Sequence, residues 1–303
     1  MKFRLTLILT FLKCICCFPL DDQDKLSNNS TNINYMIQHI ANGIKISPDD
    51  YSFMVIVLRR RLQISWKRVC GGTLIRSRWV LTSANCVDEE YSYFSILASS
   101  NSSHMRPLMV YVKQVILHPE YRNHNYLNNI ALLKLERKLS RQTYDVDYVK
   151  LPRAKNGRGI DLDLPCKEGL VMGWGKTAAD EYPETSELIC ANVPLIPFLY
   201  CLKLYNSYYY ITTVDKDQYL LCTLSPKGSG PCRVDNGGPL MCNNVQVGIF
   251  SWGFGCGKKS NPSLYVPVDQ YLEFIYSVAG SRASRNGNVV NVIVVLPLLY
   301  HCI

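Results

Sequence analysis

Short apolar runs, cut off by turn residues, recur along most of the chain. From Tyr51 onward they read FMVIVL, GGTLI, RWVLTSA, MVYVKQVIL, NIALLKL, LVMGWG, VQVGIFSWG and SLYVPV. Runs this short and this often interrupted predict many short strands, and so an all-β barrel or sandwich. One segment follows a different period. Val268, Tyr271, Leu272, Ile275, Val278 and Ala279 recur at helical spacing and predict an amphipathic helix over residues 267–280. Residues 19–39 are polar, rich in Asn, Asp and Ser, and predict a flexible segment. The chain shows no internal repeat.

The two ends carry their own patterns. A basic start, the apolar run Leu5 to Leu12 and the following KCICCFP predict a secretory signal peptide over residues 1–18. The run is too short to span a bilayer comfortably. At the other end, GSRASRNGN is small and polar, and VVNVIVVLPLLYHCI is apolar to the last residue. Over residues 281–303 this admits three readings: a GPI-attachment signal, an uncleaved hydrophobic tail or membrane anchor, and an unstructured secreted tail. Either of the first two would supply a membrane tether, so the expected location is secreted or at the cell surface.

Composition then sharpens the picture. The chain has 303 residues, a net charge of +9 and 13 cysteines. Losing Lys2, Arg4, Lys13, Arg282 and Arg285 with the two ends would leave +4, which gives little support to nucleic-acid binding. Export would place the cysteines in an oxidising compartment, where pairing is the rule. Sequons at Asn28, Asn29 and Asn101 agree with export and mark glycosylation sites. No cofactor is implied. No His/Cys/Asp spacing suits a metal, and the cysteines are committed elsewhere.

Five segments occur in order: CGGTLIRSRWVLTSANC (70–86), NNIALLKL (128–135), GWG (173–175), CRVDNGGPLMC (232–242) and GIFSWGFGC (248–256). Together they resemble the trypsin-like serine protease family over residues 40–280. The resemblance implies two six-stranded antiparallel β-barrels, at about 40–158 and 159–266, followed by the C-terminal helix. It also implies the disulfides Cys70–Cys86, Cys166–Cys242, Cys201–Cys222 and Cys232–Cys256. Cys190 stands where many relatives carry a cysteine bridged to the N-terminal region, and the usual partner position after IANG holds none. Cys190 is then either a buried inert thiol or bonded to Cys16 or Cys17.

The same resemblance locates the chemistry. Such proteases use a hydroxyl nucleophile, a histidine that takes and returns its proton, and a buried carboxylate that orients the histidine. The matching positions here are Asn236 for the nucleophile, Asn85 for the histidine and Asn129 for the carboxylate. A carboxamide has no basic lone pair near neutral pH and is no nucleophile. Val234 stands where relatives use a glycine N–H for the oxyanion hole, and a β-branched residue tolerates unusual backbone angles poorly. The specificity pocket would be built from Gly230, Gly253 and Ser263, with Pro231 stiffening its base. Gly230 replaces the aspartate that reads Arg or Lys. Activation is altered too, because QHIANG puts His39 before Ile40, where relatives are cut after Arg or Lys. Asp235, which in active relatives pairs with the new N-terminal amine, must find another partner or stay solvated.

These features lead us to expect a catalytically inactive homologue that binds a protein partner. Two other readings are a surface-tethered decoy for protease inhibitors or substrates, and a residual hydrolase. Two surfaces are candidates for the partner. CLKLYNSYYYITTVDKDQYLLC (201–222) places Tyr205, Tyr208, Tyr209 and Tyr210 on a loop beside the cleft of relatives. RRRLQISWKR (59–68) reads as a basic loop in which Arg59, Arg60 and Arg61 could meet a polyanion.

Overall fold

The predicted apolar runs become strands that close into two barrels. The computed structural model describes residues 43–61, 65–90, 92–98, 108–144, 146–153, 165–175, 187–208, 219–224, 230–253, 261–280 and 294–295. A short first strand, β1 (Ile44–Ile46), precedes the first barrel. That barrel contains β2 (Met54–Arg61), β3 (Lys67–Arg76), β4 (Trp79–Thr82), β5 (Ser92–Ala98), β6 (Leu108–Leu117) and β7 (Ala131–Leu135). Its order is β6-β5-β2-β3-β4-β7, closed by β6 on β7. A one-turn helix, α1 (Arg141–Tyr144), follows. The second barrel contains β8 (Glu168–Gly173), β9 (Leu188–Ile196), β10 (Leu221–Thr223), β11 (Pro239–Cys242), β12 (Val245–Gly253) and β13 (Ser263–Pro267). Its order is β9-β10-β13-β12-β11-β8, closed by β8 on β9, and β1 adds to the β9 edge. All these ladders are antiparallel.

Burial explains why the strands read as unbroken apolar runs. In β2, Val55 and Val57 belong to the interior of barrel 1, while Met54, Ile56 and Leu58 belong to a second cluster that both barrels share. A strand covered on both faces loses the alternation that a half-exposed strand would show. The shared cluster continues through Leu81, Ile130, Leu132, Met172, Ile249 and Val266. Barrel 2 has its own interior around Val171, Ile189, Leu240, Phe250 and Tyr265. Each such side chain contributes about 1.5–3 kcal/mol by leaving water, so the faces between the barrels hold the two halves firmly together.

The predicted helix is a short 3-10 turn, Val268–Tyr271, that continues into α3 (Leu272–Ala279). Val268, Tyr271, Leu272, Ile275 and Ala279 are buried as the periodicity requires, and Phe274 is buried with them. α3 leaves barrel 2 and packs on barrel 1. The His118 ring meets Tyr271 at 5.3 Å and Phe274 at 4.9 Å, and Tyr271 Oη donates to Asn128 Oδ1 at 2.8 Å. Burial holds the His118 pKa below its ordinary value, which favours the neutral ring between these aromatics.

Three bridges are as expected: Cys70–Cys86, Cys166–Cys242 and Cys201–Cys222. Cys232 is also disulfide-bonded, and its expected partner Cys256 lies outside the described residues. Cys190 is buried on β9, in the cluster shared by the barrels. The leader, residues 19–39, His39, Ile40 and the three sequons lie outside the described residues, as does all of 281–303 except β14 (Val294–Val295). β14 pairs antiparallel with β6 at Ile116 and Val115. Among the described residues no helix is long and apolar enough to cross a membrane.

Two expectations about surfaces need correction. The segment from 201 does not begin as a loop, because α2 (Phe198–Tyr208) occupies its first third. Tyr205 is buried there at 1% exposure. Its hydroxyl donates to the Pro262 carbonyl and its ring lies 5.1 Å from that of Trp252. Tyr205 is therefore a packing residue and cannot offer its ring to a partner. Tyr208 ends α2, and Tyr209 and Tyr210 lie outside the described residues. The basic stretch is also not a loop at its start: Arg59, Arg60 and Arg61 are the last residues of β2. Arg59 and Arg61 both pair with Glu89, which offsets one of the three charges that were expected to face a polyanion.

Candidate functional site

The site lies where the two barrels meet, and each of its residues is set by a local constraint. After β4 the chain turns through a 3-10 turn, Ala84–Cys86, which Cys70–Cys86 ties back to β3. Thr82 Oγ1 donates to the Gly71 carbonyl at 2.8 Å and fixes the approach to that turn. Asn85 is thereby held half-buried at the barrel surface. Asn129 precedes β7 and is fully buried. Its neighbour Asn128 is left-handed (φ 51°), with Nδ2 donating to the Glu120 carbonyl at 3.0 Å. Together with the Tyr271 contact, this pins the loop that delivers Asn129.

The carboxamide of Asn129 is completely engaged. Its Oδ1 accepts from the Asn85 backbone N–H at 2.8 Å. Its Nδ2 donates to Asn85 Oδ1 at 3.2 Å and to Ser251 Oγ at 2.8 Å. Ser251, on β12, is buried and was not singled out in the sequence, although the FSWG stretch carries it. A buried amide with every donor and acceptor met stabilises its surroundings, and it neither gives nor takes a proton near neutral pH. Asn85 can be bonded in this way only because both partners are neutral amides. A carboxylate at 129 would oppose Asn85 Oδ1 with another acceptor.

Asn236 is brought to the same place from barrel 2. Its carbonyl accepts from Gly71 N of β3 at 2.8 Å, and the next residue's N–H, Gly237 N, donates to the Phe250 carbonyl of β12 at 2.8 Å. Gly237 has φ 78°, and a Cβ there would lie 2.5 Å from the Gly71 carbonyl oxygen and 3.1 Å from Ser83 N. Only glycine permits this approach, which seats Asn236 against the segment leading into Asn85. Asn236 itself is half-buried. Sequence reasoning thus placed Asn85, Asn129 and Asn236 at one locus, and the fold brings the segments that carry them together.

Around these residues the turn Arg233–Asp235 is a 3-10 turn, closed by Asp235 N donating to the Cys232 carbonyl at 2.9 Å. Val234 sits within it, half-buried and outside the left-handed region that the chain uses at Tyr126, Asn128, Asn243 and Asn244. The expected pocket positions lie nearby in barrel 2. Gly230 is buried, Ser263 is buried on β13, and a Cβ at Gly253 would lie 3.1 Å from Ser263 Oγ. His124 is exposed, and His118 is committed to α3. Among the described residues, neither histidine belongs to this site.

Asp235 has the partner that the sequence left open. Only 2% exposed, it accepts from Gly175 N at 2.7 Å through Oδ1 and from Cys232 N at 2.9 Å through Oδ2. Among the described residues no cation is paired with it. Burial therefore dominates and pushes its pKa up to about 6, with the two N–H donors pulling the other way. The folded protein holds the proton more tightly than the unfolded chain, whose value is 3.8. Stability from this group is complete below pH 4 and is lost as pH rises toward 6, by about 3 kcal/mol in all. In Asp235→Asn, which does not titrate, the melting temperature relative to the parent is expected to climb steadily from pH 4 to pH 7. A difference that stays flat over that range would contradict the assignment.

Comparison with known proteins places this geometry in context. A sequence model of the trypsin family matches residues 40–275. Human kallikrein-7 (Homo sapiens) is 31% identical over 208 residues, which cover 68% of this chain and 76% of kallikrein-7. Trypsin II-P29 of the chicken (Gallus gallus) is 30% identical over 211 residues, covering 68% of this chain and 77% of its own. Among solved structures, neuropsin, a serine protease of mouse brain, superposes with a TM-score of 0.62 at 26% identity. That match covers 79% of this chain and 99% of neuropsin.

Proposed function

Because this chain belongs to the trypsin family and yet carries three carboxamides where that chemistry needs a base, a carboxylate and a hydroxyl, we propose that it is a catalytically inactive homologue. It works as a secreted or cell-surface protein-binding module on a protease scaffold. The single observation that carries this reading is the Asn129 network, in which a buried neutral amide joins Asn85 to Ser251. A base at 85 would need a carboxylate behind it to stabilise its cation, and a neutral amide gives none. Val234 in a 3-10 turn and Asp235 held by backbone N–H groups support an unactivated arrangement of the same loop. The disulfides support an oxidising, extracellular setting.

A fluorophosphonate probe tests the proposal directly, since it labels an activated serine and leaves other serines unmodified. The purified secreted protein is expected to take up no label under conditions that label trypsin stoichiometrically. It is also expected to leave fluorogenic peptide substrates uncut. Stoichiometric labelling, or turnover that scales with protein and survives further purification, would overturn the inactive reading.

A further inference from the structure

We propose that the outer face of barrel 1 around Arg60 is a docking surface for an acidic, extended segment of a protein partner. This rests on the non-catalytic binding reading and gives it a place on the molecule and a partner chemistry.

Four side chains from four segments form one contiguous strip. Arg60 on β2 lies opposite Tyr93 on β5 in the ladder. Its guanidinium sits 4.8 Å over the Trp66 ring and 5.5 Å over the Tyr93 ring. Trp66 in turn lies 6.0 Å from Tyr111 on β6. Tyr93 is 43% exposed and Tyr111 52% exposed, both unusual for such large rings. Lys113, at the bulge that follows Tyr111 in β6, is exposed as well.

The arrangement suits a carboxylate for physical reasons. Two rings hold the guanidinium plane, so little rotamer freedom remains to be lost when an anion docks. Arg60 Nε is shielded from water and has no acceptor among the described residues. No carboxylate among the described residues pairs with Arg60, so its guanidinium gains from an incoming anion. Its neighbours do not compete, because Arg59 and Arg61 share Glu89. With Glu89 between them, Arg59 and Arg61 keep only one net positive charge, which argues against a sulfated glycan, a ligand that needs a dense array of cations. Exposed Tyr93 and Tyr111 instead offer the rigid aromatic area on which polypeptide side chains pack.

The test measures anisotropy of labelled synthetic polypeptides against the full secreted chain. The probes are a random copolymer of Glu and Tyr, poly-Glu, and heparin as the competing polyanion. The parent is expected to bind the copolymer more tightly than poly-Glu. Arg60→Ala should weaken binding about tenfold, and Arg60→Lys nearly as much, since lysine lacks the planar fork. Tyr111→Ala removes only an exposed ring, so it should fold normally and still weaken binding severalfold. Arg61→Ala should leave affinity within about twofold, its charge being spent on Glu89. Binding that is equal in the parent, Arg60→Ala and Tyr111→Ala would overturn the proposal. So would tighter binding of heparin with losses that follow Arg61→Ala. Fluorophosphonate labelling of the same preparation judges the non-catalytic reading separately. An unlabelled protein that ignores the copolymer overturns this surface alone.

Discussion

Replacing all three carboxamides together, Asn85→His, Asn129→Asp and Asn236→Ser, is expected to leave peptidase activity about a thousandfold or more below that of trypsin. The replacements must be made together. Asn129→Asp alone buries a carboxylate whose oxygen faces Asn85 Oδ1, and an uncompensated charge there costs several kcal/mol. With a histidine at 85, a ring N–H can donate to that carboxylate, and Ser251 can donate as well. The hydroxyl and its base would then be present, but the oxyanion would still lack its site. Val234 lies inside a 3-10 turn that is tied to Cys232 twice, through the Asp235 N–H and the Asp235 carboxylate, so its N–H is not free to turn toward an oxyanion. Loss of one oxyanion donor costs about 10²–10³ in rate. Adding Val234→Gly to the triple variant should therefore recover up to about a hundredfold. A cleavable Arg in place of His39 should recover more after treatment with trypsin. Steady-state hydrolysis of a set of fluorogenic peptides measures each step. Triple-variant activity within tenfold of trypsin would mean that the loop is not the obstacle argued here.

How much of this was visible in the sequence differs from element to element. Both barrels were foreshadowed by the apolar runs and the five ordered segments. Three barrel strands, β5, β9 and the three-residue β10, were not, and for the first two the reason is visible. In β5 the chain buries Ser95, whose hydroxyl donates to the Val110 carbonyl at 2.8 Å, so a core position carries a residue that reads as a turn former. In β9 Asn192 and Pro194 interrupt the apolar stretch, which lowers its strand reading. The ladder tolerates the proline, and the Pro194 carbonyl still accepts from Leu224 N. α2 was legible in principle. Pro197 stands just before its first turn, and Cys201 and Tyr205 share its buried face four residues apart. The cluster of tyrosines drew attention to contact chemistry and away from that spacing.

The site was legible in its residue types and hidden in its connections. That Asn85, Asn129 and Asn236 cannot run serine chemistry follows from their amides alone. That Asn129 bridges Asn85 to Ser251 depends on a loop, a turn and a strand from both barrels, and no local pattern encodes it. The Arg59–Glu89–Arg61 pairing was hidden for the same reason. Glu89 lies 28 residues from Arg61 and reaches it only because β2 pairs with β5.

The least legible feature was the role of the GWG glycines, and it gives the second large expected effect. Gly175→Ala is expected to destabilise the protein by about 3–5 kcal/mol, lowering the melting temperature by about 10 °C or more. A Cβ at 175 would lie 2.5 Å from Asp235 Cγ, and one at 173 would lie 2.7 Å from the same atom. Neither glycine is needed for its backbone angle. Each is needed because a side chain would occupy the space that the carboxylate fills. Asp235 cannot retreat, since both of its oxygens are bonded and the next turn is fixed to β3 and β12 by Asn236 and Gly237. The alanine therefore costs an overpacked core together with the charged hydrogen bond from Gly175 N. The collision should have a suppressor. Asp235→Ala removes the colliding carboxylate, so the double variant Gly175→Ala/Asp235→Ala should melt higher than Gly175→Ala alone. That reversal is a coupling between two residues that touch, which a double-mutant cycle isolates. If Gly175→Ala melts within two degrees of the parent, or if the second substitution lowers stability further, the carboxylate is not what excludes the side chain.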